Sequence, residues 1–185
     1  MGIIAVTIVF ACICVDNMVS ANMSSMKITN DKRSVFSIKM ALFFTLFNVL
    51  FYGIGFLIGR VFFHNWVYFA HNWVAFAFLL LLGIKFMLES IEKTPSFTDL
   101  EVNDTGKMIR VSSIFGLNAF MVGFTVEALG KAFFPLVVIL GIVTFMLTLL
   151  GFHLGGPNSQ TIASKKVELI GGIILLVMAI WQILV

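Results

Sequence analysis

Charge is scarce in this chain. Only 11% of its 185 residues are Asp, Glu, Lys or Arg, while 60% are apolar, and the mean hydropathy is +1.07. Soluble domains carry about 25% charged and roughly 45–50% apolar residues, so a fold with water as its main solvent is excluded. Histidine and cysteine are almost as rare, at three and two residues. His64, His71 and His153 fall on no common helix face, which removes a histidine-based metal centre. Cys12 and Cys14, two residues apart in an apolar run, would point about 200° from one another on a helix and cannot pair. The sequence has no Ser-His-Asp set, no phosphate-cradling glycine loop and no His-Glu hydrolase motif, so nothing in it reads as an enzyme or calls for a cofactor. The formal net charge of +3 comes from residues beside apolar spans, not from an aromatic-interleaved basic patch, which excludes nucleic acid as the partner. Met1 to Ala11 lacks the positive segment of a secretion signal and reads as the start of a span.

The apolar runs are long. A bilayer core about 30 Å thick needs about 20 apolar residues per helix. Runs of that length predict an all-α membrane protein with six transmembrane helices near 2–23, 36–59, 66–89, 109–130, 132–154 and 167–185. The stretch 91–108, with Pro95 and four acidic residues, reads as the principal loop, and Gly155-Gly156-Pro157-Asn158 as the end of the fifth helix. The whole chain is then one transmembrane domain, 1–185, and the lipid bilayer is its first partner.

Basic residues near helix ends stay on the cytoplasmic side. With the N-terminus outside, ten basic residues face the cytoplasm (Lys27, Lys32, Arg33, Lys39, Lys85, Lys93, Lys107, Arg110, Lys165 and Lys166), and only Arg60 and Lys131 lie outside. This asymmetry predicts a multi-pass protein of the cytoplasmic (inner) membrane with both termini outside. His64, Trp66, Tyr68 and Trp73 cluster where the second and third helices meet the outer interface, as amphipathic rings do.

The chain also aligns with itself. Cys14 to Ala21 falls on Gly116 to Gly123 at a shift of 102, while Gly55 to Gly59 falls on Gly151 to Gly155, and Trp73 to Leu88 on Leu169 to Leu184, at a shift of 96. The expectation is two inverted three-helix repeats, 1–90 and 109–185, joined by a cytoplasmic loop at 91–108. Halves with an odd number of helices enter the membrane from opposite sides, which is a transporter architecture with its site at the midplane.

Polar residues at that depth are few. A carboxylate at the middle of a span costs about 2.5–3.5 kcal/mol on insertion scales, so Asp16 must face the interior as a ligand or a proton carrier. Its repeat equivalent is Asn118. With Asn17, Ser20, Asn48 and Thr144, and with Thr45 and Thr148 nearby, these residues form an oxygen-rich set suited to a hard cation; Asp16, Asn118 and Asn48 are the candidate metal ligands. Asn, Ser and Thr in spans also act as interhelical glue, which is the competing explanation for Asn17, Thr45 and Thr148. Lys85 and Glu89, four apart at the end of the third helix, read as a snorkelling lysine beside an acid.

Ala11 to Ala21, Phe78 to Glu89, Ser112 to Gly123 and Lys165 to Gly172 together resemble the MntP family of bacterial manganese exporters, within the lysine-exporter superfamily. Ala11 to Ala21 is similar to the family's first-helix Ser-x-Asp-Ala-x-Ala-x-Ser motif and Ser112 to Gly123 to its fourth-helix counterpart. Phe78 to Glu89 is similar to the third helix, and Lys165-Lys166-Val167-Glu168-Leu169-Ile170-Gly171-Gly172 to the opening of the last. The resemblance implies a cation exporter with manganese as candidate substrate. Where the family carries a fourth-helix aspartate this chain has Asn118, where it carries a second-helix glutamate it has Asn48, and Tyr52 stands at the nearby proline. One carboxylate in place of three also fits a transporter of another substrate, or a non-transporting paralogue acting as a membrane scaffold or regulator. Thiol oxidoreduction would need cysteines on different helices.

The basic asymmetry generates the first test. A reporter fused at Val185 is expected outside the cytoplasm and one inserted at Ser96 inside; both on one side would overturn the six-span topology.

Overall fold

The computed structural model describes residues 2–25, 33–65, 71–91, 105–155 and 161–184. Seven helices make up these residues: α1 (Ile3–Ile13), α2 (Val15–Ser25), α3 (Arg33–Asn65), α4 (His71–Ile91), α5 (Thr105–Ala128), α6 (Phe133–Leu154) and α7 (Thr161–Leu184). Together α1 and α2 form one span, so six segments are long and apolar enough to cross a membrane. This is the expected six-helix bundle, with boundaries close to those predicted. The outer aromatic positions 66–70, most of the 91–108 loop and the turn at 156–160 lie outside the described residues.

The first span differs from the expected continuous helix. Cys14 takes φ −82° and ψ −1°, which ends α1 and starts α2. The backbone bonds Cys14 N–H to Phe10 O and Met18 N–H to Cys14 O, both 3.1 Å, carry the chain past the break. Ile13, Cys14, Val15, Asp16 and Asn17 are all weak helix formers, so the local sequence resists the interruption little. The break places Asp16 in the first turn of α2, where a negative charge meets the positive end of a helix dipole.

The first and fourth spans are the centre of the bundle. In each, 61% of the apolar segment is buried, against 22% to 33% in the other four. The outer helices turn apolar stripes outward at helical spacing, such as Leu42, Leu46, Leu50 and Ile54 on α3 and Val138, Ile142, Met146 and Leu150 on α6. Phe10, Tyr52, Leu79, Phe86, Leu140 and Leu175 meet around α1 in the main core. Between α5 and α6 the chain turns tightly. Gly130 at φ +61°, with Gly130 N–H on Glu127 O at 2.8 Å and Lys131 N–H on Val126 O at 3.3 Å, forms a Schellman close.

Glycines bring these helices to backbone contact. A Cβ on Gly55 of α3 would strike Phe120 O of α5, and one on Gly123 of α5 would strike Tyr52 O of α3. One on Gly151 of α6 would strike Met18 O of α2. One turn further along, Gly59 meets Phe124 and Glu127, and Gly155 meets Asn22 and Ser25. Helices in lipid gain no hydrophobic drive from one another, so such close backbone approach is what holds them together.

Adding a methyl at these contacts forces the helices apart. Gly55→Ala and Gly151→Ala should each lower stability by about 1–3 kcal/mol, the range for overpacking a close-fitted core. Gly141→Ala, whose Cβ would meet only the Thr45 and Val49 methyls at 3.8 Å, should be tolerated. Thermal unfolding in detergent reads all three; equal behaviour would show that the glycine contacts are not tight.

Candidate functional site

Asp16 is the only buried carboxylate among the described residues, 6% exposed. Its Oδ2 accepts a hydrogen bond of 2.8 Å from Asn118 Nδ2 of α5. These two positions, expected only as counterparts and candidate ligands, touch directly. The Asn118 side chain faces both ways: while its amide nitrogen serves Asp16, its Oδ1 accepts a bond of 2.8 Å from Lys85 Nζ. Lys85 Nζ also lies 3.7 Å from Asp16 Oδ2 and 3.2 Å from Glu89 Oε1.

The snorkelling reading of Lys85 is thus corrected. Lys85 pairs with Glu89 as the four-residue spacing expects, but its ammonium turns to the interior oxygens rather than simply away to the interface. The reason is the rotational setting of α4. Its buried face runs through Ala75, Leu79, Leu82 and Phe86, and Lys85 flanks that face three residues after Leu82 and one before Phe86. On this helix a Cβ built on Gly83 would lie 2.8 Å from the Leu176 side chain and 3.2 Å from Gly172 O of α7, so α4 packs closely on α7. Charge balance is the signal that could have found it: ionisable groups within a bilayer pair with one another, and Asp16 needed a cationic partner.

The remaining predicted residues gather elsewhere. Asn48 of α3 donates from Nδ2 to Thr144 Oγ1 of α6 at 3.4 Å, a long contact, and Cys14 Sγ lies 3.1 Å from the same hydroxyl. Thr148 donates to Thr144 O at 2.7 Å, within its own helix. No hydrogen bond among the described residues joins this Cys14–Asn48–Thr144 group to Asp16 and Asn118. Asn17 and Ser20 are fully or almost fully buried, at 0% and 3% exposure. Neither Asn17's amide atoms nor Ser20 Oγ has a protein hydrogen-bond partner, and the same is true of Thr45 Oγ1 and Tyr52 Oη.

Chemically, the Asp16–Asn118 pair offers one carboxylate and one amide oxygen, both hard ligands. Among the described residues no three His, Cys, Asp or Glu side chains converge to hold a metal ion. A cation here meets a sparse set, in which the lysine already contributes a positive charge.

The first relatives found carry manganese export in their names. The "Putative manganese efflux pump MntP" of Crocosphaera subtropica is 28% identical over 149 residues, covering 76% of this chain and 74% of that protein. "Putative manganese efflux pump MntP 2" of Wolinella succinogenes is 27% identical over 117 residues, covering 63% of this chain and 60% of that protein. No solved structure matches. The profile of the family described as "Mntp: Putative manganese efflux pump" matches residues 31–184. That range contains Asn48, Lys85, Asn118 and Thr144 and begins after the span that holds Asp16. With more than half of its length matched, the chain belongs to the MntP manganese efflux pump family, as a divergent member.

Proposed function

We propose that this protein exports a divalent cation, manganese in the first place, across the cytoplasmic membrane, through a site at Asp16 and Asn118. The observation that carries the proposal is the 2.8 Å bond between these two side chains at the broken first span. An acid is held at the centre of the bundle, on a helix end, where oxygen ligands can face a dehydrated cation. Interrupted helices supply ion sites in transporters, and the departure at Cys14 falls two residues before Asp16. The unpartnered atoms of Asn17 and Ser20, one turn or less away on α2, add neutral oxygen to the region.

In this reading the chain is one domain of two inverted halves, 1–90 and 109–185, with 91–108 as the connecting cytoplasmic loop and both termini outside. Transport follows from rocking one half against the other. The contacts support the inverted pairing in a consistent way. Asp16 meets Asn118 across 102 residues and Asn48 meets Thr144 across 96, the two shifts at which the sequence aligns with itself. The glycine contacts follow the same rule. Adding 96 to Gly55 gives Gly151, and adding 102 to Met18 gives Phe120, so Gly55 on Phe120 and Gly151 on Met18 are counterparts. Gly59 with Phe124 and Glu127 corresponds likewise to Gly155 with Asn22 and Ser25.

Asn48, a candidate ligand in the sequence, sits in the Thr144 group, and its role in this proposal is to line the second half-interface. It would approach the cation only when the halves move.

Two outcomes are expected. Asp16→Asn keeps the size of the side chain and a hydrogen bond to Asn118, so the protein should insert and fold while losing manganese export. Cells carrying it should retain radioactive manganese like cells without the protein; full export from a well-expressed variant would remove the carboxylate from the site. Asn118→Asp adds a second hard carboxylate, and the gain for a dication exceeds that for a monovalent ion in a medium of reduced dielectric. Calorimetric titration should show tighter manganese binding with a smaller change for sodium. A folded Asn118→Asp protein with no gain would place the cation elsewhere.

A further inference from the structure

We propose that the Lys85 ammonium is a tethered cation that occupies the Asp16–Asn118 site when no substrate is bound, and that cargo enters only by displacing it toward Glu89. The inference rests on the reading that Asp16 and Asn118 hold the transported ion, and it adds the residue that sets what that ion must overcome.

The geometry carries it. Lys85 Nζ stands 2.8 Å from Asn118 Oδ1, and the carboxylate oxygen of Asp16 is 3.7 Å away. These oxygens are the ones a cation would use, so ammonium and cargo cannot share the position. Glu89 Oε1, at 3.2 Å, is a second partner one turn along the same helix. Exposure grades along this line. Asp16 and Asn118 are 6% and 2% exposed, while the side chains of Glu89 and Lys85 are 29% and 34% exposed. The ammonium therefore sits at the boundary between the buried oxygens and the accessible surface, on a flexible four-carbon stem that can turn outward without unpairing.

Charge explains why such a residue belongs there. A buried carboxylate left without a partner is strongly destabilising. An exporter passes through an empty state in every cycle, and Lys85 neutralises Asp16 during it. The same ammonium makes the empty site neutral, so a monovalent ion gains nothing by replacing it. A dication brings an extra charge and a stronger demand for hard oxygen, and can win the exchange. Lys85 is thus a specificity-determining residue, acting by competition and not as a ligand.

Calorimetric titration of the purified full-length protein with manganese chloride, and separately with sodium chloride, tests this. Lys85→Met and Lys85→Gln should bind manganese at least tenfold tighter than the wild type, and sodium should begin to compete. Lys85→Gln keeps an N–H for Asn118 and covers the case in which Lys85→Met does not fold. Lys85→Arg retains the charge and should keep wild-type affinity, a result that a purely structural role would not produce. Adding Asp16→Asn to Lys85→Gln should abolish the gain. If the wild type binds manganese and neither neutral variant binds it more tightly, or if the gain survives loss of Asp16, the tethered-cation proposal is overturned while the transport reading stands. If neither wild type nor any variant binds manganese, both fall.

Discussion

The bundle is organised around one negative charge kept away from water. Asp16 costs a few kcal/mol at the depth it occupies, and three other features answer that cost. The break at Cys14 turns a helix N-terminus toward it. Asn118 donates to it from the opposite central helix. Lys85 brings a compensating charge from α4. Each of these belongs to a different element, so the acid ties the first, third and fourth spans into one arrangement, and the outer helices pack around that.

Close packing makes the arrangement possible. The amide of Asn118 reaches Asp16 with α5 deep in the bundle, where Gly55 and Gly123 leave no side chain between the α3 and α5 backbones, as Gly151 does between α6 and α2. Interfaces of this kind resist partial deformation. They slide or separate as units, which is the mechanical property that rocking of two halves requires.

Much of this was legible in the sequence. The six apolar runs are set by bilayer thickness, a constraint that needs no tertiary information, and Asp16 stood out because carboxylates at that depth are rare. Asn118 was singled out as its counterpart in the internal alignment, but that the two side chains bond to one another was not foreseen. The rest depended on rotation of helices about their own axes. Asp16 and Asn17 are neighbours in sequence but point about 100° apart, so Asn17 makes no bond to the Asp16–Asn118 pair. Asn48 was grouped with Asp16 by chemistry, whereas the rotation of α3 turns it to Thr144. Lys85 was assigned outward because a lysine near a helix end has two ways to satisfy itself, and the rotation of α4 about its axis, which decides between them, is a tertiary property. The break at Cys14 carries no proline or glycine to announce it, only a run of weak helix formers.

The length of α3 has a consequence of a different kind. Its apolar span, Ser34–Phe63, is 30 residues, or about 45 Å of helix at 1.5 Å per residue. The hydrocarbon core it crosses is about 30 Å thick. The helix must lean steeply, carry its ends beyond the acyl chains, or thicken the lipid around it, and each option ties its tilt to the surrounding lipid. Because α3 meets α5 through backbone contacts, a change in its tilt is passed directly to that central helix. Lipid acyl length is therefore a control variable for this protein, acting on the buried acid from outside the chain.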